Sequence, residues 1–261
     1  MIYEQIVQGT EEWFEIKLGV PSAGTFNTLL TTQGKRSAQV KSTIKKLADE
    51  LIRYEHFESY TNEDMEEGKL REAEGRTRYA EALDMTTIYH PDLDHTRGIV
   101  KEVGFVTKEF EQLEHIAPFN KIGCSPDGLV FKNHKLIGGV EIKSPRPYTH
   151  LGYLDDKKIP SNYLLQVVGS MYVCGCEYWD FFSHHKDYEK PFCLRAHRDE
   201  TSIQELFNEL EQVCIDALLG IHNLFNQYSN SDKEKIIERK KQIYKPIEGA
   251  TWLAEESIRQ L

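Results

Sequence analysis

No apolar run in these 261 residues approaches the ~20 residues needed to cross a bilayer, so a membrane protein is excluded at the outset. Nor does the chain open on a basic segment followed by an apolar core. Met1-Ile2-Tyr3-Glu4-Gln5 does not read as a secretory signal, and a cytoplasmic location is expected. Cysteine is sparse and odd in number: Cys124, Cys174, Cys176, Cys193 and Cys214 are never spaced C-x-x-C. Neither a disulfide framework nor a zinc ribbon is indicated, and reduced, mostly buried thiols are expected. Excess positive charge is missing too. The 32 Lys and Arg against 42 Asp and Glu give a net charge of -10, which argues against a protein that coats nucleic acid nonspecifically. Any nucleic-acid site must then be local, with metal ions supplying part of the positive charge. Gly138-Gly139 has no Gly-Lys-Ser/Thr after it, which rules out a P-loop; a bulge is expected there. His184, His185 and His197 match no zinc spacing; the first two read as a surface pair at a strand end. There is no internal repeat, low-complexity tract or obvious linker.

What the chain does contain is enough apolar residue, 39%, for a substantial core, and one folded unit over 1–261 is expected. A Thr10 cap and helical spacing predict a helix over residues 10–17, closed by Gly19. A second helix start is read from Ser22 to Leu30. Residues 37–58 and 62–84 predict longer helices, making the part before residue 90 mostly helical. The middle differs in kind. Gly98–Thr107 and Gly128–Pro145 are rich in Val, Ile and Phe and predict strands, with a hairpin turn at Lys132-Asn133-His134-Lys135. A helix over 162–173, an aromatic strand over 178–184 and an amphipathic helix over 202–227 follow. The expected class is α/β (α+β), a central mixed β-sheet flanked by helices. Its catalytic core would span about 95–200, with C-terminal helices over 201–261.

The chemistry concentrates in Ser125-Pro126-Asp127-Gly128 and Val140-Glu141-Ile142-Lys143-Ser144-Pro145. Side chains alternate along a strand, so Glu141 and Lys143 share one face while Val140 and Ile142 turn to the core. If the two strands pair around Asn133, Asp127 arrives opposite Glu141. Two carboxylates and an ammonium then converge. Mg²⁺ prefers oxygen ligands and takes one or two protein carboxylates, leaving room for water and phosphate. Asp127 and Glu141 suit that role, with the Ile142 carbonyl as a further oxygen. Lys143 would orient or deprotonate the attacking water and offset charge on the phosphoryl group. Glu-x-Lys on a strand is usually a solvated face, and Pro-Asp-Gly is an ordinary turn; the conjunction is what points to a phosphodiesterase centre.

These residues resemble those of the lambda-type (YqaJ-like) viral alkaline exonucleases, within the PD-(D/E)xK nuclease superfamily. Cys124-Ser125-Pro126-Asp127-Gly128-Leu129 is similar to that family's CSPDGL block, and Glu141-Ile142-Lys143-Ser144-Pro145 to its E-(L/I)-K-x-P block. Gln8-Gly9-Thr10-Glu11-Glu12-Trp13 with Lys17-Leu18-Gly19-Val20 resembles its opening helix. Tyr163-Leu164-Leu165-Gln166-Val167 with Ser170-Met171 resembles a downstream one. The blocks run in order from about residue 8 to 185.

The resemblance implies a restriction-endonuclease-like core in a single nuclease domain. Asp127 and Glu141 would bind metal, Lys143 would be catalytic and Gln166 would support the site. Glu72 falls where the family carries a helix-borne metal-centre glutamate, although Glu67, Glu72 and Glu74 equally suit one solvated helix face. Lys17 stands where the family usually has an arginine for the terminal 5′-phosphate. Lys offers a point charge where Arg offers a fork, and Ser22 adds a hydroxyl nearby. The implied activity is Mg²⁺-dependent digestion of one strand of linear double-stranded DNA, 5′ to 3′, with Mn²⁺ as the alternative ion. It acts from 5′-phosphorylated ends and leaves 3′ overhangs for phage-type recombination. A homotrimer and a single-strand annealing protein as partner are implied likewise, in a bacterial host cell from a phage or prophage gene. Lys35, Arg36, Lys41, Lys45 and Lys46 form a basic stretch that suits either a DNA channel or a solvated helix face. The competing readings are a PD-(D/E)xK endonuclease or repair nuclease, and a non-catalytic DNA-binding module.

Overall fold

The computed structural model describes residues 1–56, 71–87 and 98–245. Two sheets organise them. The larger has five strands in the order β2-β5-β6-β7-β8, and the smaller is β1-β3-β4. The strands are β1 (Ile2–Tyr3), β2 (Ile99–Lys101), β3 (Phe105–Glu109), β4 (Lys121–Cys124), β5 (Gly128–Lys132), β6 (Lys135–Lys143), β7 (Tyr178–Ser183) and β8 (Phe192–His197). In the large sheet β6 and β7 are parallel and the other neighbours antiparallel. This is the mixed sheet expected. The run from Gly98 to Thr107 is not one strand, however: it breaks after Lys101, and β2 and β3 enter different sheets.

The hairpin between β5 and β6 follows from its turn residues. Asn133 and His134 both take positive φ, 49° and 64°, the conformation of a two-residue turn whose twist matches the strands. A bulge lies at Val130/Phe131, which pair with Gly138 and Leu136, so Ile137 is the extra residue. Gly138 and Gly139 have a separate reason. A Cβ on them would stand 2.3 Å from the Tyr178 ring and 2.4 Å from the Trp179 ring, so the aromatic residues of β7 demand bare backbone opposite.

Among the described residues seven α-helices dress the sheets: α1 (Glu11–Lys17), α2 (Val40–Arg53), α3 (Glu72–Ala82), α4 (Pro147–Asp156), α5 (Ser161–Cys174), α6 (Thr201–Tyr228) and α7 (Lys233–Ile243). The segment read as a second helix start forms a 3-10 helix, Ala23–Thr28. The helix expected over 37–58 stops at Arg53, where Tyr54 turns left-handed with φ 52°. Residues 62–70 of the next lie outside the described part. Alternation along the central strands gives the large sheet two apolar faces. Val130, Val140, Ile142, Tyr178 and Phe182 pack with Tyr79 and Ala80 of α3. Leu129, Phe131, Trp179 and Phe181 join the main core with Val167, Val168 and Met171 of α5. The strand ends that carry the chemical residues are thus held between α3 and α5.

Candidate active site

The ladder of β5 against β6 runs to Gly128 opposite Val140, so the next residue, Asp127, stands beside the end of β6. Its Oδ2 accepts a 2.6 Å hydrogen bond from the Ile142 N–H. A strand residue turns its N–H and C=O to the same edge. The Ile142 carbonyl therefore faces the edge that β5 leaves at Gly128. Lys143 turns its carbonyl the other way, accepting from His184 N–H at 3.1 Å. Glu141 is buried, and one of its oxygens forms an ion pair with the Lys143 ammonium. That ammonium also lies 5.2 Å from the centroid of the Tyr163 ring. Gln166 is one turn beyond Tyr163 on α5 and shares its face.

Glu72 opens α3 and reaches the same place, hydrogen-bonded to Asp127. Burial, and then Asp127 itself, push the Glu72 carboxyl up to about 9. Burial likewise pushes Glu141 up to about 7 against the pull of the Lys143 ammonium, with Asp127 adding to the rise. Desolvation lowers Lys143, but the Glu141 and Asp127 charges outweigh it and hold the ammonium above its ordinary value. Glu72, Asp127, Glu141 and the Ile142 carbonyl make an oxygen-only donor set, which is what a hard divalent cation takes. Three acids crowd one Lys143, and the nearby Arg76 guanidinium is already paired with the Glu102 carboxylate, so negative charge is in excess and the residues fit such an ion. Among the described residues no three His, Cys, Asp or Glu side chains already stand in metal-holding geometry.

Lys17 and Ser22 sit on the segment of residues 8–22, which braces the arm of residues 123–128 that leads to Asp127. The Lys17 ammonium lies 3.4 Å from the centroid of the Trp13 ring. Trp13 in turn donates from its indole N–H to Ser125 Oγ at 3.0 Å and to the Gly104 carbonyl at 3.1 Å. Gln8 donates to the Pro126 carbonyl at 3.1 Å. Ser22 lies beside Gly123 at the start of the same arm. Of the basic stretch, Arg36 pairs with Asp216 of α6, while Lys35, Lys41, Lys45 and Lys46 are exposed.

One feature went unread in the sequence, and one reading is overturned. Arg76, one turn after Glu72 on α3, is buried and donates to the Asp127 carbonyl at 2.9 Å; its i+4 spacing from Glu72 was the available signal. His184 and His185 are buried rather than a surface pair. His184 Nε2 shares a 2.6 Å hydrogen bond with Ser144 Oγ beside Lys143, because β7 runs parallel to β6 and ends level with it.

The mixed sheet, with its carboxylates at the ends of β5 and β6, defines a protein with the fold of the lambda-type exonucleases. Residues 12–177 match the model of the YqaJ-like viral recombinase domain, and the chain belongs to that family. Among solved structures it is similar to an alkaline exonuclease (LHK-Exo) from Laribacter hongkongensis. The two share 25% identity over 84% of this chain and 97% of that one, with a TM-score of 0.60; the same protein in complex with dAMP matches equally. A phage related exonuclease from Haemophilus somnus 129PT shares the fold, at 13% identity and a TM-score of 0.53 over 80% of this chain and 96% of that one. No curated protein matches the chain.

Proposed function

We propose that the chain is a Mg²⁺-dependent exodeoxyribonuclease that degrades one strand of linear duplex DNA from 5′-phosphorylated ends, leaving 3′ overhangs for recombination. The observation that carries this reading is the Asp127 carboxylate tied to the Ile142 N–H with Glu141 and Lys143 alongside. Family membership and the resemblance to the alkaline exonuclease support it. Asp127, Glu141, Glu72 and the Ile142 carbonyl would hold the ion. A divalent cation there supplies Lewis-acid polarisation of the phosphodiester and a more acidic water; Mn²⁺ has the same ligand preference.

The protein groups do the rest. Lys143 is held as an ammonium, so it acts as a fixed cation beside the phosphoryl oxygens rather than as a base. The Tyr163 ring lies 5.2 Å from that ammonium, and Gln166 offers an amide from the same helix face. Lys17 and Ser22 bind the terminal 5′-phosphate from the segment that bears Trp13, with Lys17 giving one charge in place of a guanidinium fork. The chain works as one nuclease domain in a homotrimer, beside a single-strand annealing protein, in the cytoplasm of a bacterial host. No helix among the described residues is long and apolar enough to cross a membrane.

The test is digestion of a linear duplex labelled in turn at its 5′ and 3′ ends, beside a closed circle, in Mg²⁺ and in EDTA. Metal-dependent release of nucleotides from 5′ ends, with the circle intact, is expected. Lys143→Ala should lose at least ~100-fold in rate, the usual worth of a group acting directly in the transition state. Cutting of the circle would make the protein an endonuclease, and no hydrolysis at all would leave a DNA-binding module.

A further inference from the structure

The buried arginine of α3 stands outside the roles assigned so far. Its guanidinium is engaged at both ends: one nitrogen donates to the Asp127 carbonyl at 2.9 Å, and the other pairs with the Glu102 carboxylate. Glu102 lies at the break between β2 and β3, and its side chain is 54% exposed. The Arg76 stem runs beside Gly128, where a Cβ would meet its Cδ at 3.7 Å. One planar group therefore stitches three segments that are distant in sequence: α3, the β2–β3 break and the Pro126-Asp127-Gly128 arm. Glu72 is four residues earlier on the same helix face. The side-chain oxygen of Asp127 is held by the Ile142 N–H and its backbone oxygen by Arg76, so both the side chain and the backbone of this residue are fixed.

A guanidinium this enclosed, with both ends occupied, is badly placed to meet substrate phosphate. It suits fixing a spacing. We propose that Arg76 is a positioning residue: it sets the distance between Glu72 and Asp127 and so makes the two carboxylates a metal pair. The proposal rests on the reading of those carboxylates as ligands. Groups that orient metal ligands in this way typically cost 10–100-fold in metal affinity or activity when changed. Lysine carries the charge but not the fork, so it reaches one of the two acceptors and releases the other.

The experiment is Mn²⁺ binding to the full chain without DNA, followed by electron paramagnetic resonance of the free ion, beside steady-state digestion across a Mn²⁺ series. Arg76→Lys should weaken Mn²⁺ binding by ~10- to 100-fold. Its kcat should fall at low Mn²⁺ and recover as the ion is raised, while KM for DNA stays put. Glu102→Gln frees the outer half of the fork through a largely exposed side chain, so folding is retained, and it should weaken Mn²⁺ several-fold. A merely structural arginine would lower thermal stability and leave Mn²⁺ affinity per folded molecule unchanged. That result for both variants, or for Glu102→Gln alone where Arg76→Lys does not fold, overturns the proposal. A wild type that binds no Mn²⁺ overturns the ligand reading itself and the proposal with it; binding in the wild type with unchanged variants removes only Arg76.

Discussion

Glu72 is the residue on which the metal reading can be tested most cleanly. Its carboxyl is pushed up to about 9, so near pH 7 it is protonated without metal and donates to Asp127. Glutamine copies that state: same shape, neutral, with a donor for the same bond. Glu72→Gln should therefore change the unfolding free energy of the metal-free protein by about 0.5 kcal/mol or less, the range of a neutral substitution. Mn²⁺ affinity should nevertheless drop ~10-fold or more, because an amide oxygen replaces a carboxylate. Calorimetric titration of wild type and variant decides it; equal affinities would remove Glu72 from the ligand set. At this scale the sequence was legible where neighbours in space are close in the chain. Strand alternation places Glu141 beside Lys143, and the short hairpin brings Asp127 level with Glu141. Arg76 was hidden because its partners, Asp127 and Glu102, lie 51 and 26 residues away.

Among elements, α3 carries the tightest constraint. Gly75 lies against β6, where a Cβ would come within 2.5 Å of Ile142 Cγ2 and 2.9 Å of His184 Nε2. In an ordinary helix, alanine for glycine stabilises by about 1 kcal/mol. Here the sign reverses. Gly75→Ala must push α3 off the sheet or displace Ile142, and a cost of about 1–3 kcal/mol in urea unfolding is expected. The shift also moves Glu72, three residues earlier, away from Asp127, so Mn²⁺ affinity should fall with stability. A variant more stable than wild type would show that α3 does not press on β6 as described. The helices with long apolar stripes, α2, α5 and α6, were legible because each repeats its pattern over several turns. β1 has two residues and β4 four, too few for a period of two to stand out. α4 was missed because its apolar residues do not line up: Tyr148 and Leu151 are exposed while His150 is buried.

Across the whole molecule, the order β2-β5-β6-β7-β8 had no local signature, since it depends on which edges meet after the chain has wandered. The same holds for α7, which had no readable motif because its work is done at the opposite end of the sequence. Lys240 is buried and donates to the carbonyls of Glu15 and Ile16, both 3.1 Å away, where α1 ends. Arg239 grips the Glu15 carboxylate beside it. So α7 holds the helix that bears Trp13 and Lys17. Burial pulls the Lys240 amine down to about 7, with Glu15 and Glu50 resisting. The linkage has a definite sign. An unfolded lysine keeps its proton up to about 10.4, so between pH 7 and 10 this side chain binds more protons in the unfolded state than in the folded one. The contribution of Lys240 to stability then rises with pH over that window. Lys240→Met fills the same space without titrating. The difference in unfolding free energy, wild type minus variant, should climb from pH 7 to 9 by up to a few kcal/mol, each pKa unit being worth about 1.4 kcal/mol. Urea melts of both proteins at pH 6, 7, 8 and 9 measure it. A difference that stays flat would mean that the amine is hydrated and α7 does not seal the end of α1.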